Sequence, residues 1–215
     1  SPRTTDGTAR RRRVLEAIRT AQLVYSPGSE SQYSDLGMVV LGDIIEQVCG
    51  SRLDHVFARE VARPLGLRDT FFRHLETPPP EAQRPTEVFA ATELCPWRRE
   101  LVRGWVHDEN AYLLLGVAGH AGLFATASDV MRLAMALLAG YHGRTDYLRA
   151  GTVREFVRRQ HLVDGSDRAL GWGTPSPGAS CGSRFAATAF GHTGFTGTSV
   201  WIDPEAERVV VLLAN

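Results

Sequence analysis

The sequence GHTGFTG, at residues 191–197, lies between a loop rich in glycine and proline and two segments with the composition of β-strands. Its three glycines remove side-chain bulk, so a ligand or a second stretch of backbone can approach closely. His192 within it can titrate near neutral pH. Taken alone, the stretch is either a glycine-rich bend with a surface histidine or part of a binding cleft. Only the surrounding sequence can decide between these.

The segments after this stretch predict an antiparallel sheet. Residues 198–203 and 208–214 are rich in valine, isoleucine and leucine, and residues 203–207 between them are typical of a hairpin turn. A further strand is expected at residues 184–190. The predicted sheet therefore lies at the C-terminal end of the sequence. The chain has no internal repeat and no alternation of strands with helices.

Helices are predicted over most of the chain before the sheet, because apolar residues recur there three and four positions apart or follow capping signals. These segments are residues 12–22, 34–49, 51–62, 130–139 and 152–160. Gly50 occupies the position of a C-terminal cap. Two N-terminal capping boxes are also predicted, Ser51 with Asp54 and Thr126 with Asp129. Helices followed by a sheet define an α+β fold.

Residues 74–104 show no periodic pattern and contain five prolines, so an irregular connection is expected. A connection this long is usually functional or covers a core. Trp97 and Trp105 favour a segment that packs against the protein. Glycines surround His120, which is either a cleft residue or a packed loop residue.

Composition excludes several functions. Basic and acidic residues balance at 24 each, and every basic residue is an arginine. Without lysine, these residues contain no lysine base, Schiff base or P-loop lysine. Zero net charge argues against general nucleic-acid binding, and the run at residues 10–13 is typical of a solvated helix start.

No metal or cofactor is predicted. The cysteines are odd in number and widely spaced, which argues against a disulfide framework: Cys49, Cys95 and Cys181. His107, Asp108 and His120 could ligate a metal in principle, but no pair of histidines has the spacing of a helical metal motif.

No membrane span is expected, because no apolar run approaches about 18 residues. Residues 1–13 are polar and basic and lack the apolar region of a signal peptide. The compartment and the oligomeric state stay open. Both ends of the sequence have the character of cut ends, so a fragment is expected.

The sequence GASCG at residues 178–182 matches the nucleophile elbow of α/β-hydrolases. That motif requires a strand before the serine and a helix after it. Pro175 and Pro177 precede Ser180, and no helical pattern follows. We therefore interpret the match as fortuitous.

The triplet Tyr33-Ser34-Asp35 at the predicted start of helix 34–49 is by itself an ordinary helix start. Together with His192-Thr193-Gly194, however, it resembles the second and third motifs of the serine β-lactamase and penicillin-binding-protein superfamily, in its class C-like branch. Further segments match the family in order along nearly the whole chain: residues 25–28, 61–67, 119–129, 170–173 and the final hairpin.

The resemblance implies a β-lactamase/DD-peptidase-like fold, here incomplete at both ends. It implies a mostly helical region over residues 1–182 and C-terminal strands of an α/β domain over residues 183–215. It also implies a serine hydrolase that acts on a small ester, amide or peptide through an acyl-enzyme. Nucleic acid is not an expected partner.

The resemblance also assigns roles to residues. Tyr33 matches the motif tyrosine, and His192 stands in the place of the third-motif lysine, on a strand expected to line a cleft opposite Tyr33. Both are expected to be catalytic, His192 as a substrate-side or proton-relay group. The expected substrate-binding residues are Asp35, Thr193, Gly194 and Phe195.

The sequence departs from the family pattern at three points. It has no Ser-x-x-Lys, so the nucleophile is expected in a missing N-terminal part. Asp35 replaces an asparagine common in the family, and His192 replaces lysine. These two changes weaken the attraction for carboxylate-bearing substrates and favour the esterase-like or aminopeptidase-like members. The alternative is a non-catalytic binding or scaffolding relative.

Overall fold

Helices contain more residues than strands in the computed structural model, which describes residues 6–215. The helices are α1 (Gly7–Arg19), α2 (Asp35–Cys49), α3 (Leu53–Phe57), α4 (Arg63–Leu65), α5 (Glu109–Leu113), α6 (Ala127–Tyr141) and α7 (Ala150–Val157). The strands are β1 (Phe71–Phe72), β2 (Ala91–Cys95), β3 (Glu100–Arg103), β4 (Leu123–Phe124), β5 (Phe190–Thr193), β6 (Ser199–Asp203) and β7 (Arg208–Leu212). The α+β prediction is confirmed.

The described residues form two compact units. The first contains the residues up to Val24, Gln32–Ala125 and Asn215, and the second contains Tyr25–Ser31 and Thr126–Ala214. The predicted division into residues 1–182 and 183–215 concerns the domains of the whole family fold and stays a prediction. The predicted absence of a signal peptide rests partly on residues 1–5, which lie outside the described residues.

The core of the first unit joins α1, α2 and α5. Its buried members are Leu15, Val39, Val106, Ala111, Leu114 and Ala118. Helix α1 starts earlier than predicted, because the Asp6 side chain accepts a hydrogen bond from the Thr8 N–H. Only Val39, Gly42 and Asp43 of α2 are buried, whereas Leu36, Ile44 and Val48 from its apolar pattern are exposed.

The predicted start of the helix after α2 was wrong. Arg52, not Ser51, occupies the N-cap position of α3, and it provides no side-chain cap. Instead, the Glu46 carboxylate of α2 accepts the hydrogen bond from the Leu53 N–H at 2.9 Å. A π-helical turn at Ala58–Ala62 then leads into α4, where Pro64 has no N–H to donate, and Gly66 ends it.

The segment 74–104 is more regular than predicted. Strands β2 and β3 pair antiparallel within it, and Pro96 lies in the turn that joins them. Two short 3₁₀-helices precede the hairpin, at Pro80–Ala82 and Thr86–Val88. Cys95 and Val102 within the segment are buried, and Trp105 directly after it stacks against the Arg73 guanidinium at 4.5 Å, so the segment packs against the protein as expected.

The second unit packs α6 and α7 against a sheet ordered β5-β6-β7. Its core contains Ala134, Leu138, Val153, Val157, Phe190 and Ile202. The predicted hairpin of the last two strands and the Thr126 cap of α6 are confirmed. The strand predicted at 184–190 is wrong, because Asp203 accepts a hydrogen bond from the Ala186 N–H and holds a turn there. The strand begins at Phe190.

None of the helices described between residues 6 and 215 is long and apolar enough to cross a lipid bilayer. The three cysteines are free thiols.

Candidate active site

The Tyr33-Ser34-Asp35 triplet lies at the start of α2, as predicted. Ser34 has extended backbone angles, and its hydroxyl accepts a hydrogen bond from the Leu36 N–H at 3.2 Å. This cap fixes where the helix begins. Tyr33 therefore precedes the helix with 68% of its surface exposed, and Asp35 is the first helical residue.

A loop from elsewhere in the first unit lies directly on the backbone of α2. A Cβ at Gly119 would lie 2.0 Å from the Met38 carbonyl oxygen, and a Cβ at Gly42 would lie 3.1 Å from the Gly119 nitrogen. Only glycine at position 119 allows the two backbones this separation. The approach places the next residue, His120, beside the N-terminus of α2.

His120 meets two carboxylates at this point. One ligand atom from each of Asp35, Asp108 and His120 lies within 4.8 Å of the other two. His120 Nε2 is 2.8 Å from Asp108 Oδ1, which also accepts a hydrogen bond from the Ala111 N–H at 2.7 Å. The structure thus brings together three residues that are far apart in the sequence.

Hydrogen bonding favours the ionised form of Asp108. Burial raises the pKa of its carboxyl, but the hydrogen bonds from His120 and the Ala111 amide outweigh burial and hold that pKa below its usual value. Asp108 is also the N-cap of α5, where the exposed helix amides favour an anion. The carboxylate is therefore a fixed acceptor.

His120 is a packed residue. Its side chain is 4% exposed, and Nδ1 is buried without a hydrogen-bond partner among the described residues. Sequence reasoning left its role open and did not connect it with Asp35. The available signal in the sequence is weak: His107-Asp108 and His120 are residue types that can ligate a metal.

His192 lies in β5, where it pairs with Val200 of β6. Its Nδ1 is 2.6 Å from the Thr193 carbonyl oxygen, which can only accept, so Nδ1 carries the proton. In the neutral ring the lone pair is then on Nε2.

The backbone around His192 is tightly packed on one side. A Cβ at Gly191 would lie 2.4 Å from both the Trp201 ring and the Val200 carbonyl oxygen. Gly191 also exchanges two backbone hydrogen bonds with Gly173, on the side of β5 away from β6. Position 191 thus anchors the strand that carries His192.

The remaining predicted substrate-binding residues lie at the turn after β5. Thr193 pairs with Ser199, and the Gly194 N–H donates to the Thr198 carbonyl at 2.7 Å. Phe195 is 72% exposed at the tip. Thr193, Gly194 and Phe195 therefore share one hairpin end of the second unit, whereas Tyr33 and Asp35 belong to the first unit.

Ser180 is a structural residue. Turns, not a helix, follow it, and its hydroxyl accepts a hydrogen bond from Trp201 Nε1 at 2.9 Å. The arrangement lacks the strand–turn–helix geometry of a nucleophile elbow.

The comparisons with known proteins define the class. The Beta-lactamase family model matches residues 1–215, so the chain belongs to this family of β-lactamase-like serine hydrolases. The resemblance found in the sequence is confirmed. A protein of Escherichia coli strain K12 is 35% identical over 94% of this chain. It is named as a candidate D-alanyl-D-alanine carboxypeptidase.

Solved structures agree with this family. The chain is similar to EstCE1, described as a hydrolase with promiscuous acyltransferase activity, with 27% identity, a TM-score of 0.61, and coverage of 90% of this chain and 53% of that one. It has the fold of a penicillin-binding protein homologue from Caulobacter crescentus, at 21% identity and a TM-score of 0.66. That match covers 100% of this chain and 61% of the other. The chain spans 49% of the Escherichia coli relative's length.

Proposed function

We propose that this chain supplies the second and third motif sites of a serine hydrolase that cleaves a small ester, amide or peptide through an acyl-enzyme. The observation that carries the proposal is Tyr33, exposed at a capped helix start, followed in family order by His192 on a strand. Because residues 1–215 contain no lysine and hence no Ser-x-x-Lys, the proposal places the nucleophilic serine outside them.

In the proposed reaction the serine attacks the substrate carbonyl, and the Tyr33 phenolate accepts the serine proton. The leaving group departs with the proton that Tyr33 took from the serine, and a water molecule then attacks the acyl-enzyme, releasing the acid and returning one of its protons to the serine oxygen. An unperturbed phenol has a pKa of about 10, so this role requires cations near Tyr33 in the complete site.

His192 differs from the lysine of the family pattern in one chemical respect. With its proton on Nδ1, neutral His192 has a lone pair on Nε2 and can accept a proton, which an ammonium cannot. We therefore propose that it relays a proton or binds the substrate. Thr193, Gly194 and Phe195 would contact the substrate beside it, and Asp35 would contact it near Tyr33.

The negative charge of Asp35 and the replacement of the family's lysine by His192 favour substrates without a carboxylate next to the scissile bond. The relative in Escherichia coli bears the name of a carboxypeptidase, whereas EstCE1 is described as a hydrolase with acyltransferase activity. The two substrate types can be separated by comparing p-nitrophenyl esters with a D-alanyl-D-alanine peptide and its C-terminal amide. We expect the ester and the amidated peptide to react faster.

The test uses the gene product that contains residues 1–215, labelled with a fluorophosphonate or a fluorescent penicillin. We expect label on a serine outside residues 1–215, located by peptide mass spectrometry. Tyr33→Phe should lower turnover about 100-fold or more, the usual contribution of a general acid–base group. Tyr25→Phe is the matched control and should keep normal turnover.

Other outcomes contradict the proposal. Absence of labelling and turnover favours the non-catalytic binding relative, and label on Ser180 favours an elbow mechanism. Turnover that survives Tyr33→Phe means that the role of the tyrosine is misassigned. Residues 1–215 alone should not hydrolyse nitrocefin or p-nitrophenyl esters.

A further inference from the structure

We propose that Asp35, Asp108 and His120 form a binding site for a divalent transition-metal ion of the Zn²⁺ or Mn²⁺ type. Each residue offers one ligand atom, and the three atoms lie within 4.8 Å of one another. Ligands that surround such an ion at about 2.1 Å are separated by roughly 3–4 Å. A shift of less than about 1 Å therefore closes the set around an ion.

The charges of the cluster favour a cation. Two carboxylates face one imidazole, and no arginine among residues 6–215 forms an ion pair with either of them. Two anions this close repel each other, and the repulsion grows as the site is buried. A divalent ion between them neutralises both charges, whereas the imidazole contributes at most one.

A second observation is independent of the carboxylates. The His120 ring is almost fully buried, yet Nδ1 has no hydrogen-bond partner among the described residues. Buried polar atoms are normally satisfied, and an exception calls for an explanation. Coordination of an ion through Nδ1 provides one, because the Nε2–H then still donates to the Asp108 carboxylate and both ring nitrogens have a partner.

The surrounding structure holds the three candidate ligands in place. The Ala111 N–H fixes the Asp108 carboxylate, and the close contact of Gly119 with α2 fixes the backbone next to His120. Asp35 is held at the capped first turn of α2. Because the set is one nitrogen and two carboxylate oxygens, it suits Zn²⁺ or Mn²⁺ better than Ca²⁺, which takes only oxygen ligands.

The test measures binding directly and needs no catalytic assay. The full-length protein is treated with EDTA, dialysed and titrated with ZnCl₂ or MnCl₂ by calorimetry, and CoCl₂ is added for visible absorption spectra. We expect one ion per chain and ligand-field bands of a nitrogen–oxygen site. Asp35→Asn should weaken binding more than the roughly 10- to 100-fold that loss of a supporting partner costs.

Matched controls separate this site from other surface groups. Asp6→Asn changes another carboxylate at a helix start, and His161→Gln changes an exposed histidine. Both should bind the ion as the parent protein does. His120→Gln should abolish the cobalt bands, and Asp35→Asn keeps the test decisive if His120→Gln does not fold.

Two results would overturn the inference. One is absence of binding at ion concentrations that saturate ordinary zinc enzymes. The other is binding that Asp35→Asn leaves unchanged, which would assign the ion to a different place. Neither result bears on the serine labelling test, so the metal site and the proposed hydrolase function can fail separately.

Discussion

The start of helix α2 and the hairpin at residues 191–197 carry the two motif sites, and they are built in opposite ways. At α2, segments far apart in the sequence meet: Gly119 lies on the helix backbone, and His120 bridges towards Asp35 and Asp108. At the hairpin, adjacent strands and a short turn hold His192 by backbone pairing. The first region depends on long-range contacts, and the second mainly on local structure.

This difference determines where each region is vulnerable. Substitutions far from Tyr33 in the sequence should disturb the first region, because its side chains depend on one close contact between backbones. The hairpin should be sensitive at the single glycine that lies against Trp201. The predictions below test this contrast, from the largest expected effect to the smallest.

The largest effect is expected at Gly119. In Gly119→Ala the new methyl group would lie 2.0 Å from the Met38 carbonyl oxygen, which is backbone and cannot rotate away. We expect the free energy of unfolding in urea to fall by about 3 kcal/mol, near the upper end for overpacking.

Gly37→Ala is the matched control within α2. A Cβ there meets nothing within 4 Å, and alanine favours a helix by about 1 kcal/mol over glycine. The control should be neutral or stabilising. Equal effects of the two variants would show that the contact of Gly119 with α2 does not matter.

A smaller effect is expected at Gly191. Its Cβ in Gly191→Ala would lie 2.4 Å from the Trp201 ring and from the Val200 carbonyl oxygen, and the ring can shift in part. We expect a loss of about 2 kcal/mol in the same unfolding measurement. Gly151→Ala, in open space on α7, should show none of this loss. A Gly191→Ala variant as stable as Gly151→Ala would contradict the packing described for β5.

The smallest effect near neutral pH concerns a second buried histidine of the first unit, His74, whose contribution becomes measurable as the pH falls. Burial, helped by the positive charge of Arg52, lowers its pKa to about 4, and its Nδ1 accepts hydrogen bonds from the Glu76 and Thr77 amides. The unfolded chain, with a histidine pKa of about 6.5, binds more protons between these values. Stability should therefore be complete above about pH 6.5 and fall as the pH drops towards 4.

The measurement compares urea unfolding of the parent and His74→Gln between pH 4 and 7. The part of the pH slope due to His74 should disappear in the variant, whereas His55→Gln, at an exposed histidine, should keep it. An identical slope in the parent and His74→Gln would mean that His74 is not held neutral in the folded state.

Local signals predicted much of the fold correctly. Helix α2 and its cap at Gly50, the Thr126 cap of α6 and the last hairpin all follow from residues close in sequence. Errors arose where a distant group decided the local structure. The Glu46 carboxylate starts α3, and Asp203 holds a turn where a strand was expected.

The residues of the candidate site also fall into those that the sequence predicted and those that only the structure brought together. The motif order identified Tyr33 and His192, and the family assignment is confirmed by the match over the whole chain. Their roles stay predictions. The cluster of Asp35, Asp108 and His120 could not be inferred from spacing, because its members lie in separate segments and meet only through tertiary contacts.

The sequence alone determined the α+β class, the family and the positions of its two motifs, since helix periodicity, strand composition and motif order are local properties of the chain. Only the tertiary structure decided which side of α2 is buried, that His120 is packed against two carboxylates, and that Gly119 is required beside Met38. These facts depend on the separation of backbones and on the burial of charge. Both arise only when distant segments fold together.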